Sequence, residues 1–210
     1  MPKKNLQLVQ QHNEQNARAP SNSLKMRLED MITIEAKTEA QGQFMSEYRY
    51  KPAFLLHGCA GTGKTFIALY RALEEVLDKG NGYGKVVVVR SAVPSRDIGH
   101  LPGTEAEKTE IFSLPYQSMC EEFFPSKDKP YQRLMEQKHL EFMSTSYVRG
   151  ITLDHAIVIV DECQNLTDME INSIMTRVGV NTKILFCGDF RQCHHLHQLN
   201  LGLKILSDPP

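Results

Sequence analysis

The segment Gly58-Cys59-Ala60-Gly61-Thr62-Gly63-Lys64-Thr65 sets three glycines, a lysine and a threonine at the spacing Gly-x-x-x-x-Gly-Lys-Thr. Glycine at 58, 61 and 63 lets the main chain wrap closely around an oxyanion, because a Cβ there would hold the chain away or forbid the dihedrals. Lys64 adds a point charge, and the Thr65 hydroxyl suits Mg2+. Amides at the start of a following helix would add the positive end of its dipole. This is the chemistry of a polyphosphate site. The pattern is specific when a strand leads in and a helix leads out. Ala53-Phe-Leu-Leu56 precedes it, and Ile67, Tyr70, Leu73, Val76 and Leu77 recur at helical spacing after it. A glycine-rich turn with a chance lysine would not explain both flanks.

Two further segments end in polar groups where a buried strand would reach a ligand. The first, Ile157-Val-Ile-Val-Asp-Glu-Cys-Gln-Asn165, runs from four apolar residues into paired carboxylates. Asp161 is suited to hold Mg2+ through its water shell. Glu162 is suited to orient and deprotonate an attacking water, a role for a carboxylate near the metal but not on it. An Asp-Glu pair alone is common in surface turns; its place after a buried strand, about 100 residues beyond the glycine loop, makes it informative. The second, Lys183-Ile-Leu-Phe-Cys187, leads into Gly188-Asp-Phe-Arg-Gln192, where Gln192 is expected to touch the γ-phosphate or the attacking water. A plain polar turn is the alternative there.

These sites need a scaffold. Short apolar strands, Ala53 to Leu56, Val86 to Val89, Ile157 to Val160 and Ile184 to Cys187, alternate with helical stretches, and His139 to Thr145 reads as a further strand. The alternation predicts an α/β fold with a mostly parallel sheet and helices on both faces. Helices are predicted over Leu24 to Met31, over Thr38 to Tyr48 with Thr38 as N-cap, and over Phe66 to Leu77, Gln117 to Phe124, Tyr131 to Gln137 and Asp168 to Thr176. Lys79 to Gly84 reads as a turn, and Ser95 to Pro115 as a long loop with a short helix. Residues 1–23, rich in Gln, Asn, Lys and Ser, are expected to be a flexible polar tail, and 24–210 a single domain. There is no internal repeat.

Composition narrows the field. A chain of 210 residues that is 41% hydrophobic and 23% charged can bury one sizeable core. Its formal net charge of -1 gives no global basic field for nucleic acid, leaving a local patch or an oligomeric pore as the routes to one. Five cysteines without a Cys-x-x-Cys pair, and no apolar leader, lead to the expectation of a reducing cytoplasm. No apolar run is long enough to cross a bilayer as a helix. Cys193-His194-His195-Leu-His197 has metal-ligating residue types but no second paired set at zinc spacing. His57 reads as a packed strand residue, and Cys59 as a thiol near a helix N-terminus.

Taken together, these segments resemble the PhoH family, single-core relatives of the superfamily 1 helicases, over roughly Ile34 to Leu206. Leu101-Pro-Gly-Thr-Glu-Ala-Glu-Lys108 is similar to the family's Leu-Pro-Gly…Glu-Lys stretch, Tyr147-Val-Arg-Gly-Ile-Thr152 to its Arg-Gly-x-Thr segment and Asp161-Glu-Cys-Gln164 to its Asp-Glu-Ala-Gln box. Thr176-Arg-Val-Gly179 resembles its Thr-Arg-x-Gly signature, and Gly188-Asp-Phe-Arg-Gln192 completes the order. Cys163 stands where the family usually has alanine. The resemblance implies a single RecA-like P-loop NTPase core that hydrolyses ATP. Lys37-Thr-Glu-Ala-Gln41 looks like the adenine-reading segment, so Gln41 is expected to pair with the base. The helicase-like motif set points to RNA or single-stranded DNA as substrate and to a homo-oligomer, a hexameric ring, with ATP between subunits. The chain stops before the family's C-terminal Arg-His segment, which suggests a short form of the kind a phage would encode, with the groups closing over the γ-phosphate supplied by the next subunit. Arg177 is the leading arginine finger, with Arg149, Arg90 and Arg191 as alternatives, each of which could instead be a surface salt bridge. A nucleotide-gated assembly factor remains the competing function. A small-molecule kinase fits less well, because it would need no water-activating glutamate.

Overall fold

The computed structural model describes residues 25–78, 80–91, 105–189 and 205–207, with 105–110 and 205–207 as backbone alone. Among these residues, six strands form one sheet: β1 (Ala53–His57), β2 (Lys85–Arg90), β3 (Leu140–Ser144), β4 (Ala156–Val160), β5 (Lys183–Gly188) and β6 (Ile205–Ser207). Their order is β3-β2-β4-β5-β1-β6, and every pairing is parallel.

Valine, isoleucine and leucine fill both sides of the central strands, so alternate residues serve two cores. Phe54, Leu56, Val86, Val88, Ile157, Ile159 and Leu185 face one core, and Leu55, Val87, Val89, Val158, Val160, Ile184 and Phe186 face the other. The first core is closed by helices α1 (Glu39–Glu47), α2 (Lys64–Leu77), α3 (Glu105–Phe123) and α4 (Pro130–Glu136); the second by α5 (Thr145–Val148) and α6 (Asp168–Met175). Helices therefore lie on both faces, as the alternation predicts. Thr38 caps α1 by accepting from the Gln41 amide, also as expected.

Local patterning failed at two places. The described part of Leu24 to Met31, from Lys25 on, does not form the predicted helix: only Leu28–Asp30 makes a short 3-10 turn. Distant partners tie down its two ends instead, since the Met26 amide donates to Gln137 Oε1 and the Ile32 amide, just past it, to the Phe123 carbonyl. The long loop with a short helix predicted over Ser95 to Pro115 is, in its described part, helix from Glu105, and that helix is longer than expected because α3 continues through Pro115. Proline removes one helical donor, but Tyr116, Cys120 and Phe123 bury one continuous face around it, and this packing outweighs the lost bond. The expected N-terminal tail and residues 92–104 lie outside the described residues. Strand β6 and the four-residue α5 had no clear signal in the sequence.

Candidate functional site

In a parallel sheet, every segment that follows a strand emerges at the same end. The glycine loop after β1, the carboxylates after β4 and Gly188-Asp189 at the tip of β5 therefore meet, because β5 lies between β1 and β4. The Gly58 amide donates to the Gly188 carbonyl, stitching the loop's start to β5. Gly61 and Gly63 have φ of 80° and 77°, the left-handed region where glycine is needed. Gly63 then opens α2, so the first turn's free amides face the loop's hollow.

A cavity of about 320 Å³ opens there, lined by Gly61, Lys64, Thr65, Asp161, Glu162 and Asp189 among others. The Thr65 hydroxyl donates to Asp161 Oδ1 at 2.5 Å, and the Tyr116 hydroxyl donates to Asp161 Oδ2 at 2.6 Å. Asp161 is buried. Burial, and then the charge of Asp161, push the Tyr116 hydroxyl well above its usual range, with the Arg90 guanidinium opposing, so tyrosine stays the donor. Thr65 and Asp161 offer hard oxygens at the mouth of a polyphosphate-sized cavity. This donor set fits Mg2+, which takes one or two protein oxygens and keeps waters and phosphate oxygens for the rest.

Lys64 Nζ donates to the carbonyls of Gly58 and Cys59, both at 2.7 Å, and so folds back on its own loop. Glu162 has φ 50°, a left-handed conformation outside strand β4. Gln164 clasps it: Nε2 donates to Glu162 Oε2 at 2.5 Å while Oε1 accepts from the Asp189 amide at 3.1 Å. Cys187 also lines the cavity, and burial holds its thiol well above the usual range and therefore protonated. Cys59 is exposed on the loop, and the Thr62 hydroxyl donates to its carbonyl.

Gln41 also reaches the loop. Its Nε2 donates to the Thr62 carbonyl at 3.1 Å and its Oε1 accepts from the Lys37 amide at 2.8 Å. Among the described residues, one donor and one acceptor of the amide stay available. Ala60 lines the cavity beside Gly61. Gln192, Arg191 and the cysteine-histidine cluster at 193–197 lie outside the described residues.

Arg177 does not join this site within its own chain. It precedes β5, where its carbonyl accepts from Leu153 and Gly179 bonds back to Leu153, so the Thr-Arg-Val-Gly segment braces the amino end of the sheet. A six-residue strand spans about 20 Å, which separates Arg177 from the loop at the other end. Its Nε is buried without a hydrogen-bond partner among the described residues. Arg90, the last residue of β2, stands at the correct end, its guanidinium over the Phe112 ring at 5.5 Å.

The family described as PhoH-like protein matches residues 33–208. The chain belongs to the PhoH family. Among curated PhoH relatives, "PhoH-like protein" of Synechocystis sp. is 33% identical over 173 residues, 82% of this chain and 52% of its own length. Protein PhoH2 of Bacillus subtilis is 39% identical over 158 residues, 72% of this chain and 35% of its own length. Protein PhoH of Escherichia coli K12 is 31% identical over 165 residues, 78% of this chain and 46% of its own length. The chain thus spans between about a third and a half of these PhoH relatives. Among solved structures, the large terminase of a thermophilic bacteriophage in complex with ADP aligns with TM-score 0.50 at 12% identity, covering 81% of this chain and 44% of the terminase. That likeness places the PhoH core in the P-loop NTPase fold. Among the described residues, no helix is long and apolar enough to cross a membrane.

Proposed function

We propose that this chain binds ATP with Mg2+ and hydrolyses it, and that within a ring of identical subunits the hydrolysis drives movement on RNA or single-stranded DNA. The observation that carries the hydrolysis reading is the Thr65–Asp161 contact at 2.5 Å, flanked by Lys64 and Glu162 around one cavity. In this reading the loop amides and Lys64 take the β- and γ-phosphates, so Lys64 must leave the two carbonyls it now holds. Mg2+ in that place would supply positive charge to offset that of the phosphates. Thr65 and Asp161 hold it, and Glu162, kept in line by Gln164, accepts the proton of the attacking water. Gln192 is proposed to touch the γ-phosphate or the attacking water. The donor and acceptor left on the Gln41 amide match adenine N7 and N6, which supports ATP as the nucleotide.

The proposed finger role of Arg177 holds only across a subunit boundary, because its own loop is at the far end of the sheet. The nucleic-acid reading draws on the helicase-like motif order and on membership of the family. Its test is the ATPase rate with RNA, single-stranded DNA, duplex and no nucleic acid, on protein of known oligomeric state. Stimulation by a single strand in a ring supports it; equal rates with all four, or a strictly monomeric active species, would overturn it and favour a nucleotide-gated assembly factor. For the chemistry, Lys64→Ala should lose nucleotide binding or turnover, whereas Glu162→Gln should keep ATP binding and lose turnover. Parental turnover by Glu162→Gln would refute the assignment of the base.

A further inference from the structure

We propose that Tyr116 is a positioning residue for the metal-binding carboxylate, presetting Asp161 so that a divalent cation meets it in a single orientation. The proposal rests on the nucleotide reading above. A carboxylate has two oxygens, and both are directed here: Thr65 takes Oδ1 at 2.5 Å and Tyr116 takes Oδ2 at 2.6 Å. Thr65 belongs to the glycine loop. Tyr116 comes from α3, an element that carries none of the phosphate-site motifs, and reaches Asp161 from 45 residues away.

The tyrosine has little freedom to follow a wandering carboxylate. It is 1% exposed, shares a helix face with Cys120 and Phe123, and its ring lies 5.5 Å from the Phe142 ring on β3. Helix α3 and strand β3 thus fix the ring, and the ring fixes the hydroxyl. Asp161, at the end of β4, is tied from the opposite side by the loop threonine, so the metal-facing lone pairs of its carboxylate point where the two donors leave room. Partners that hold a metal-binding carboxylate in place tune metal affinity although they never touch the metal. Phenylalanine at 116 would keep the ring in its slot and remove only the hydroxyl.

The test uses the full chain saturated with ADP, with Mn2+ as probe and free Mn2+ read by electron paramagnetic resonance. Fluorescent-ADP binding in EDTA and thermal melting serve as companion readouts. Tyr116→Phe should weaken Mn2+ binding about tenfold, the lower end of the loss seen when such a partner is removed, with ADP affinity in EDTA unchanged. In an Asp161→Asn background the same change should add no further loss. Parental Mn2+ affinity in Tyr116→Phe, or a full additive loss in the double variant, would overturn the proposal. So would loss of ADP binding in EDTA, which would place Tyr116 in the scaffold alone. If the parent with ADP binds no Mn2+, the nucleotide reading falls and takes this proposal with it; parental binding with an unaltered Tyr116→Phe removes only the role of Tyr116.

Discussion

Replacing Gln164 by leucine should slow ATP hydrolysis far more than it weakens nucleotide binding. Gln164 spans the gap between the strand tips of β4 and β5, donating to Glu162 Oε2 at 2.5 Å and accepting from the Asp189 amide at 3.1 Å. A hydrogen bond to a charged group contributes roughly 1.5–3 kcal/mol. Glu162 sits at φ 50°, so its backbone conformation is one the surrounding structure must impose. If about 2 kcal/mol of that restraint is realised as correct orientation in the transition state, kcat falls roughly 30-fold. The leucine variant also leaves the Asp189 amide without its acceptor, a stability cost of about 1–3 kcal/mol that melting would report separately. The assay is phosphate release at saturating Mg-ATP, with ADP affinity measured alongside. Gln164→Glu sharpens it: glutamate can still accept from the Asp189 amide but presents a like charge to Glu162, and turnover should fall further than in the leucine variant. A folded Gln164→Leu that turns over within about twofold of the parent would refute the idea that Glu162 needs this clasp.

Two further outcomes follow from parts of the molecule away from the cavity. In Gly179→Ala the new Cβ would overlap the Asp154 carboxylate and come within 2.9 Å of Thr152 Cγ2, displacing the group that accepts from the Val180 amide at 2.7 Å. Overpacking of this kind costs about 1–3 kcal/mol, so the melting temperature should drop by several degrees while ADP affinity, set at the other end of the sheet, is retained; an unchanged melting temperature would refute the steric account. Burial alone would raise the Glu170 carboxyl, but bonds from Thr145 and Thr167 and the charge of Arg149 hold it below its ordinary 4.5. A depressed carboxylate adds stability above its unfolded pKa and loses it as pH falls through the folded value. Wild-type melting temperature should therefore decline more steeply than that of Glu170→Gln as pH drops below about 4.5, and parallel curves would refute the linkage.

The central strands were legible because each is an unbroken apolar run ending in a polar tip, a pattern set by burial on both faces. The glycine loop and Asp161-Glu162 were legible for the same reason: their chemistry is local and follows a strand directly. What escaped was long-range. The stretch up to Met31 has helical spacing, yet its Met26 amide is satisfied by Gln137 and the Ile32 amide just beyond it by Phe123, residues that no local window contains. Pro115 argued for a loop, and only the buried stripe Tyr116, Cys120 and Phe123 shows why a helix tolerates it. Tyr116 carried one usable signal, its place in that i, i+4, i+7 stripe, but nothing local ties a tyrosine to an aspartate 45 residues on.

Arg177 shows that more could have been read from chain order alone. In an all-parallel sheet, a residue just after a strand sits at the carboxyl end with the ligand loops, and one just before a strand sits at the amino end. Arg177 precedes β5 and Arg90 ends β2, so their order relative to the strands already separates them. An arginine remote from its own loop can act on a γ-phosphate only from another subunit, whereas Arg90, beside Tyr116 and so close to Asp161, needs no partner. The two assignments part in a mixing experiment: inactive Lys64→Ala subunits, which keep Arg177, should restore turnover to Arg177→Ala subunits if the arginine acts across a boundary. Failure of Arg177→Ala to impair turnover at all would confine that residue to bracing the amino end of the sheet.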